Sequence, residues 1–311
     1  MAGLDPAIHP LSIRLRRIAG SVGRDIAPLP GDDTSFMRMP MTTLESFTGT
    51  LVLAGAGKMG GAMLTGWLSR GLDPARVAIV EPEPSPEIAT LASRGVQFNP
   101  ELDTLSAAAL VIAVKPQMFD SAALSLRAAV TPQTLVVSIM AGVPVTRLQS
   151  GVGGAVVRAM TNTPAAIGRG IAAAFAASGV SAAQRDLADA LLRATGSVAW
   201  IDDEALMDAV TAVSGSGPAY VFLLAEELAK AGVAAGLPAD LATQLARETV
   251  SGAGELLHRS DLDSVTLRQN VTSPGGTTAA ALAVLMAEDG LAPLLIRAVD
   301  AATRRSRDLA T

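Results

Sequence analysis

The amino-acid sequence predicts an α/β fold, with a parallel-rich sheet in the N-terminal part and an all-helical C-terminal part. Three observations carry that expectation. Short, wholly apolar runs alternate with helix-period segments from Thr50 to about residue 203, which is the pattern of strands covered on both faces. A glycine-rich turn, Gly55 to Gly60, separates the first run from the first helix. Beyond Asp203 no strand signal survives and helical periodicity takes over.

Residues 1–48 stand apart. Pro6, Pro10, Pro28, Pro30 and Pro40 leave no sustained period, so the segment reads as a disordered extension or as the product of a start codon assigned too early. Met37, Met39 and Met41 all precede the ordered part, and Arg14, Arg16 and Arg17 leave a targeting peptide as an alternative. A first domain is expected over 49–203 and a second over 204–311. Within the first, Thr50 to Ala54 reads as a buried strand and Lys58 to Arg70 as a helix closed by Gly71. Val77 to Val80 is a second strand, stopped by the proline-rich Glu81 to Pro86. Ala107 to Val114, Thr134 to Ile139 and Ala155 to Met160 continue the sheet. Ile171 to Ala177 and Ser197 to Ile201 end it, around a helix over Ser181 to Ala194. Helices are then expected over Glu204 to Val213, Ala219 to Ala235, Ala239 to Leu257, Thr277 to Glu288 and Leu291 to Leu309.

Composition narrows the chemistry. Half of the 311 residues are apolar and 17% charged, enough for a sizeable core and against disorder as the main state. A net charge of −5 argues against nucleic acid or an anionic membrane as partner. With no cysteine there is no disulfide, thiolate metal site or thiol catalyst. The two histidines, His9 and His258, are far apart, which excludes a multi-histidine metal centre or a histidine triad. No metal is expected, and reactivity is expected to come from a cofactor. The longest uncharged stretch, Ala128 to Thr146, is broken by Pro132, Gln133, Gly142 and Pro144, so it is no membrane span. The start lacks a secretory pattern, and a soluble cytoplasmic protein is the expectation.

Gly55-Ala56-Gly57-Lys58-Met59-Gly60 fits G-x-G-x-x-G between a strand and a helix. There the first glycine allows the turn, the second lets backbone approach a pyrophosphate, and the third packs helix on strand. The helix N-terminus adds N–H donors and a positive dipole. This points to a Rossmann-like dinucleotide-binding domain; a plain packing loop is the alternative. Glu81, about 20 residues beyond the last glycine at the end of the second strand, suits an adenosine ribose and repels a 2′-phosphate. On that residue alone NADH is slightly favoured over NADPH, although a solvated strand-end carboxylate would look the same. Val114, Lys115 and Pro116 follow the next strand, where ligands sit in open sheets, though Lys115 also fits an ordinary loop lysine. Ala141 and Gly142, after Met140, offer an apolar wall for a nicotinamide, and Asn162 a polar group at the same edge.

Two stretches in the helical part resist a packing explanation. Ser214-Gly215-Ser216-Gly217-Pro218-Ala219-Tyr220 interrupts a helical pattern, with Pro218 suited to a first helical turn and Ser216 to its cap; a kink between packed helices is the alternative. Val271-Thr272-Ser273-Pro274-Gly275-Gly276-Thr277-Thr278 places glycines just before a helix, where free N–H groups converge on an anion such as a carboxylate. Ser273, Thr277 and Thr278 add hydroxyls, more than capping requires.

Together, Ala209 to Tyr220, Asn270 to Thr278, the glycine loop, Val114-Lys115-Pro116-Gln117 and Met160 to Pro164 closely resemble the pyrroline-5-carboxylate reductases, over about residues 50 to 309. The resemblance implies hydride transfer from NADPH or NADH to the C=N bond of 1-pyrroline-5-carboxylate, giving L-proline. It implies that Ser273, Gly275, Gly276 and Thr277 hold the substrate carboxylate and that the Thr278 hydroxyl bonds the ring nitrogen, with Asp261 as an acidic residue of the site. It also implies a homodimer built from the C-terminal helices, or a larger homo-oligomer. Other readings stay open: the same architecture acting on a β-hydroxy acid or another cyclic imine, or a non-catalytic nicotinamide sensor. A hydroxy-acid enzyme would want a lysine base in the helical part, where only Lys230 is available.

Overall fold

The computed structural model describes residues 44–310. What was expected of residues 1–43 lies outside them. Residues 44–48, assigned above to the extension, are packed: Leu44 and Phe47 are buried in the core, and Glu45 lies over Gly71. Leu44 and Phe47 join the apolar cluster that holds Leu51, Leu53 and Trp67, so these residues belong to the packed part of the first domain.

Among the described residues eight strands form one sheet: β1 (Thr50–Ala54), β2 (Val77–Val80), β3 (Gln97–Phe98), β4 (Ala107–Ile112), β5 (Leu135–Ser138), β6 (Ala155–Met160), β7 (Gly170–Ala176) and β8 (Gly196–Trp200). Their spatial order is β3-β2-β1-β4-β5-β6-β7-β8, parallel throughout except that β7 runs antiparallel to β6, with β8 parallel to β7. The connection between β6 and β7 is too short for a helical crossover, so the chain can only turn back on itself. The sequence showed the strands but not this reversal. β3, two residues long, carries no periodicity and was not anticipated.

The helices are α1 (Lys58–Ser69), α2 (Pro86–Ala89), α3 (Phe119–Leu126), α4 (Val145–Gly151), α5 (Ala182–Arg193), α6 (Met207–Val210), α7 (Gly217–Ala234), α8 (Ala239–Arg259), α9 (Ser264–Asn270), α10 (Thr277–Leu285) and α11 (Leu291–Ala310). The central strands are apolar at every position because both faces are covered. On one face Met63, Leu64 and Trp67 of α1 and Leu191 and Leu192 of α5 meet Leu51, Leu53, Ile79 and Val137. On the other, Phe119, Leu126 and Leu148 meet Val52, Leu110, Val136 and Val156. The indole N–H of Trp67 donates to the Leu191 carbonyl at 2.8 Å, so the deepest aromatic leaves no polar atom unpaired.

After Trp200 the described chain is helical to Ala310. The join is an ion pair between a buried arginine and a half-buried glutamate. Arg158 of β6, 5% exposed, donates through Nη1 to Glu204 Oε1 at 2.7 Å, and the same oxygen accepts the Val145 N–H of α4 at 2.9 Å. The helical part has little core of its own. Phe222, Leu223, Leu224 and Leu228 of α7, Leu256 and Leu257 of α8 and Leu294, Leu295 and Ile296 of α11 are all exposed. Apolar faces of that extent on a folded chain mark an association surface. Among the described residues no helix is long and apolar enough to cross a membrane.

Candidate active site

The sheet order reverses between β1 and β4, and the crevice at their C-terminal ends is where open α/β sheets bind ligands. The glycine loop fills that place. Gly55 has φ +89°, and a Cβ there would lie 2.7 Å from the Ala113 carbonyl oxygen, so only glycine lets the loops after β1 and β4 touch. A Cβ on Gly60 would lie 2.0 Å from the Gly55 oxygen, which fixes α1 tightly on its own loop. Gly57 precedes α1 in open space, with no side chain capping the helix. The first N–H groups of α1 are thus left for an anion. From there a groove of about 700 Å³ runs along α1, between Glu83 to Ile88 on one side and Ala165 to Gly168 on the other, with exposed Lys58 at its head.

Glu81 stands against this loop. Its Oε2 accepts the Ala56 N–H at 2.9 Å and its Oε1 the Glu83 N–H at 3.2 Å, while Asn99 bonds the Glu81 backbone in both directions. The carboxylate therefore sits at the glycine turn rather than out in solvent. Along the same edge come exposed Lys115 with Val114 and Pro116 after β4, half-buried Ala141 and buried Gly142 after β5, and Asn162 after β6.

Asn162 ties the edge to the helical part. Its Oδ1 accepts the Ile171 N–H at 3.0 Å, which orients the amide, and its Nδ2 lies 3.4 Å from Ser214 Oγ. Ser214 belongs to a π turn, Thr211–Gly215, where the sequence suggested an interrupted helix. Gly215 allows that turn to press on Met160, since a Cβ would come within 2.4 Å of its methyl carbon. The Tyr220 hydroxyl donates to the Ala212 carbonyl at 3.0 Å, satisfying an acceptor within the wider turn. Ser216 does not cap α7 as expected: its backbone is already helical and its side chain makes no cap bond.

The second loop leads into α10. Gly275 has φ +69° in open space, and the Ser273 hydroxyl folds over Gly276, where a Cβ would come within 2.4 Å of it. Gly276 precedes α10 without a side-chain cap, so the N–H groups at Thr277 and Thr278 face outward as those of α1 do. α9, just before, escaped the sequence reading because seven residues with Val and Thr show no clear period. It is capped by Asp263, whose Oδ1 accepts the Thr266 N–H at 2.7 Å.

Two family models divide the chain. One described as "Pyrroline-5-carboxylate reductase dimerisation" matches residues 204–309, and one described as "NADP oxidoreductase coenzyme F420-dependent" matches residues 50–142. The pyrroline-5-carboxylate reductase of Pseudomonas aeruginosa is 40% identical over 268 residues, covering 85% of this chain and 97% of that protein. The chain belongs to the pyrroline-5-carboxylate reductase family. The pea (Pisum sativum) enzyme is 38% identical over 277 residues, 87% of this chain and all of that protein. Among solved structures, the pyrroline-5-carboxylate reductase of Coxiella burnetii superposes with a TM-score of 0.78 at 33% identity, covering 85% of this chain and 100% of that one. That of Plasmodium falciparum, which has NADP bound, superposes with a TM-score of 0.71 at 28% identity, covering 85% and 99%.

As a member of this family, the chain brings only part of the expected site together. Gly55 to Gly60, Glu81, Val114 to Pro116, Ala141, Gly142 and Asn162 share one sheet edge. Among the described residues, no hydrogen bond or ion pair links Ser273, Gly275, Gly276, Thr277 or Thr278 to that edge. Asp261 lies exposed between α8 and α9, and Asp263 is the neighbouring acid with a defined structural task. Lys230 is exposed and donates hydrogen bonds to Glu226 at 2.6 Å and Glu227 at 2.8 Å, and these carboxylates, Glu226 first, raise its pKa above the usual lysine range. His258 is exposed in the last turn of α8.

Proposed function

We propose that this protein reduces 1-pyrroline-5-carboxylate to L-proline with a nicotinamide dinucleotide, NADH in preference to NADPH. The observation that carries the reading is a pair of glycine-bearing loops, each of which leads into a helix without a side-chain cap. One is the glycine loop at the sheet's switch point, which opens α1, and the other is the hydroxyl-bearing loop Ser273 to Gly276, which opens α10. The dinucleotide, when bound, supplies the hydride. The chain's residues bind and orient. Gly55, Ala56, Gly57, Lys58, Met59 and Gly60 hold the pyrophosphate, Val114, Lys115 and Pro116 border it, and Ala141, Gly142 and Asn162 frame the nicotinamide end. Ser273, Gly275, Gly276 and Thr277 hold the substrate carboxylate by backbone N–H groups and hydroxyls, with Asp261 near that loop. Thr278 is the catalytic residue, its hydroxyl bonding the ring nitrogen, and positioning does most of the rest.

The preference for NADH follows from charge. Glu81, at the end of β2, bonds the glycine turn, and Glu83 and Glu87 line the groove beside it, so a 2′-phosphate there would meet carboxylates. The exposed helical faces are covered by a second copy, making a homodimer at least, with the dimerising part beginning near residue 204. The test is oxidation of NADH and NADPH by purified protein with pyrroline-5-carboxylate, run side by side, with proline identified as product. Turnover with NADH the faster is expected. A folded protein that binds dinucleotide yet turns over neither would overturn the reading.

A further inference from the structure

The end of α11 lies against the loop that follows β5. Ser306 is 4% exposed and its Oγ donates to Asp208 Oδ1 at 2.7 Å, while Arg307 Nε stands 3.8 Å from the other carboxylate oxygen. One turn further, the Leu309 backbone lies over Gly142. A Cβ at Gly142, whose φ is +74°, would be 3.4 Å from the Leu309 carbonyl oxygen. The segment from Ile139 to Pro144 is thereby held in three places. At its entry the Met140 N–H donates to Ser138 Oγ at 3.3 Å; at its exit the Val145 N–H donates to Glu204; and Leu309 covers its middle. Two of these three restraints come from the helical part of the chain.

Simple helix packing would be served by an apolar residue at position 306. A buried hydroxyl bonded to a carboxylate instead fixes one rotation and one height of α11, because a slipped helix would leave that polar pair unmatched. We infer that the last turn of α11 is a strap setting the position of Ala141 and Gly142, and that Asp208 and Ser306 are positioning residues for dinucleotide binding. The inference rests on the reading that Ala141 and Gly142 face the nicotinamide. It makes cofactor affinity depend on residues that do not touch the cofactor.

The experiment titrates full-length wild type, Ser306→Ala, Asp208→Ala and Asp208→Asn with NADH, and follows amide hydrogen exchange in wild type with and without NADH. Both alanine variants are expected to weaken NADH binding about fivefold, with KM for pyrroline-5-carboxylate little changed. Asp208→Asn, which keeps an acceptor for the Ser306 hydroxyl, is expected to bind like wild type. In wild type, NADH is expected to slow exchange over 139–145 and 303–309 together, a readout that needs no variant to fold. Unchanged affinity in folded Ser306→Ala, or protection of 139–145 without 303–309, overturns the strap alone. Protection over 55–60 without 139–145 overturns the nicotinamide-wall reading and the strap with it.

Discussion

Replacing Glu204 with alanine removes the partner of a charge that cannot reach water. The Arg158 side chain is 7% exposed, its Nη1 is 2.7 Å from Glu204 Oε1, and its Nε already finds no partner. Breaking a buried pair from one side costs about 3–5 kcal/mol, because the remaining charge stays desolvated. The Val145 N–H loses the same acceptor, adding about 1 kcal/mol. A total of about 4–6 kcal/mol is a large part of the roughly 5–15 kcal/mol that folded proteins hold in reserve. At about 2–4 °C per kcal/mol for a chain of this size, Tm should fall by roughly 8–24 °C. The assay is thermal unfolding at one fixed protein concentration, since an associating protein has a concentration-dependent Tm. Glu204→Gln keeps an acceptor for both donors and should lose less. Arg158→Met combined with Glu204→Leu should recover most of the loss, because it removes both charges. A Tm within about 2 °C of wild type for Glu204→Ala, or a double variant as unstable as the single one, would refute the account of this join.

Gly60→Ala puts a methyl group 2.0 Å from the Gly55 oxygen, and α1 must lift from its loop; a loss of about 1–3 kcal/mol in unfolding and weaker dinucleotide binding in titration are expected. Glu81→Ser removes the charge at the glycine turn, and the ratio of NADPH to NADH rates should rise about tenfold; an unchanged ratio would mean that the carboxylate does not select the cofactor. Thr278→Val should leave dinucleotide affinity intact while cutting turnover at least about tenfold, or about 1.4 kcal/mol of barrier, as measured by steady-state kinetics. Asp263 is held below its ordinary value of 3.8 by the Thr266 backbone N–H, so its cap is fully present above that pH and fades as pH falls through the lowered folded-state value. Asp263→Ala should therefore speed amide exchange over 264–270 at neutral pH and make little difference in strong acid.

What the sequence disclosed follows from where water is excluded. β1, β4, β5 and β6 were readable because both faces of the central sheet are covered, so every position had to be apolar. The glycine loop was readable because steric demands at Gly55 and Gly60 leave one residue type. β3 and α9 were too short to show a period. The reversal at β7 depends on the length of a connection rather than on side chains. Glu81 was recognised as an acid at the right distance, but its grip on the Ala56 N–H exists only once β1 and β2 lie side by side. Glu204 and Arg158 looked like ordinary charged residues until the fold buried one of them. The apolar residues of α7 gave a helix but not its facing, because the surface they cover belongs outside the single chain.

The chain contains one tyrosine. Its hydroxyl is bonded within the π turn that also carries Ser214 and rests on Met160. Any change of winding that breaks this bond returns the phenol to water and shifts its ultraviolet absorption. The protein thus contains a single phenol at the joint between sheet and helices, and a change of winding there is readable as a tyrosine difference signal against the constant background of Trp67 and Trp200.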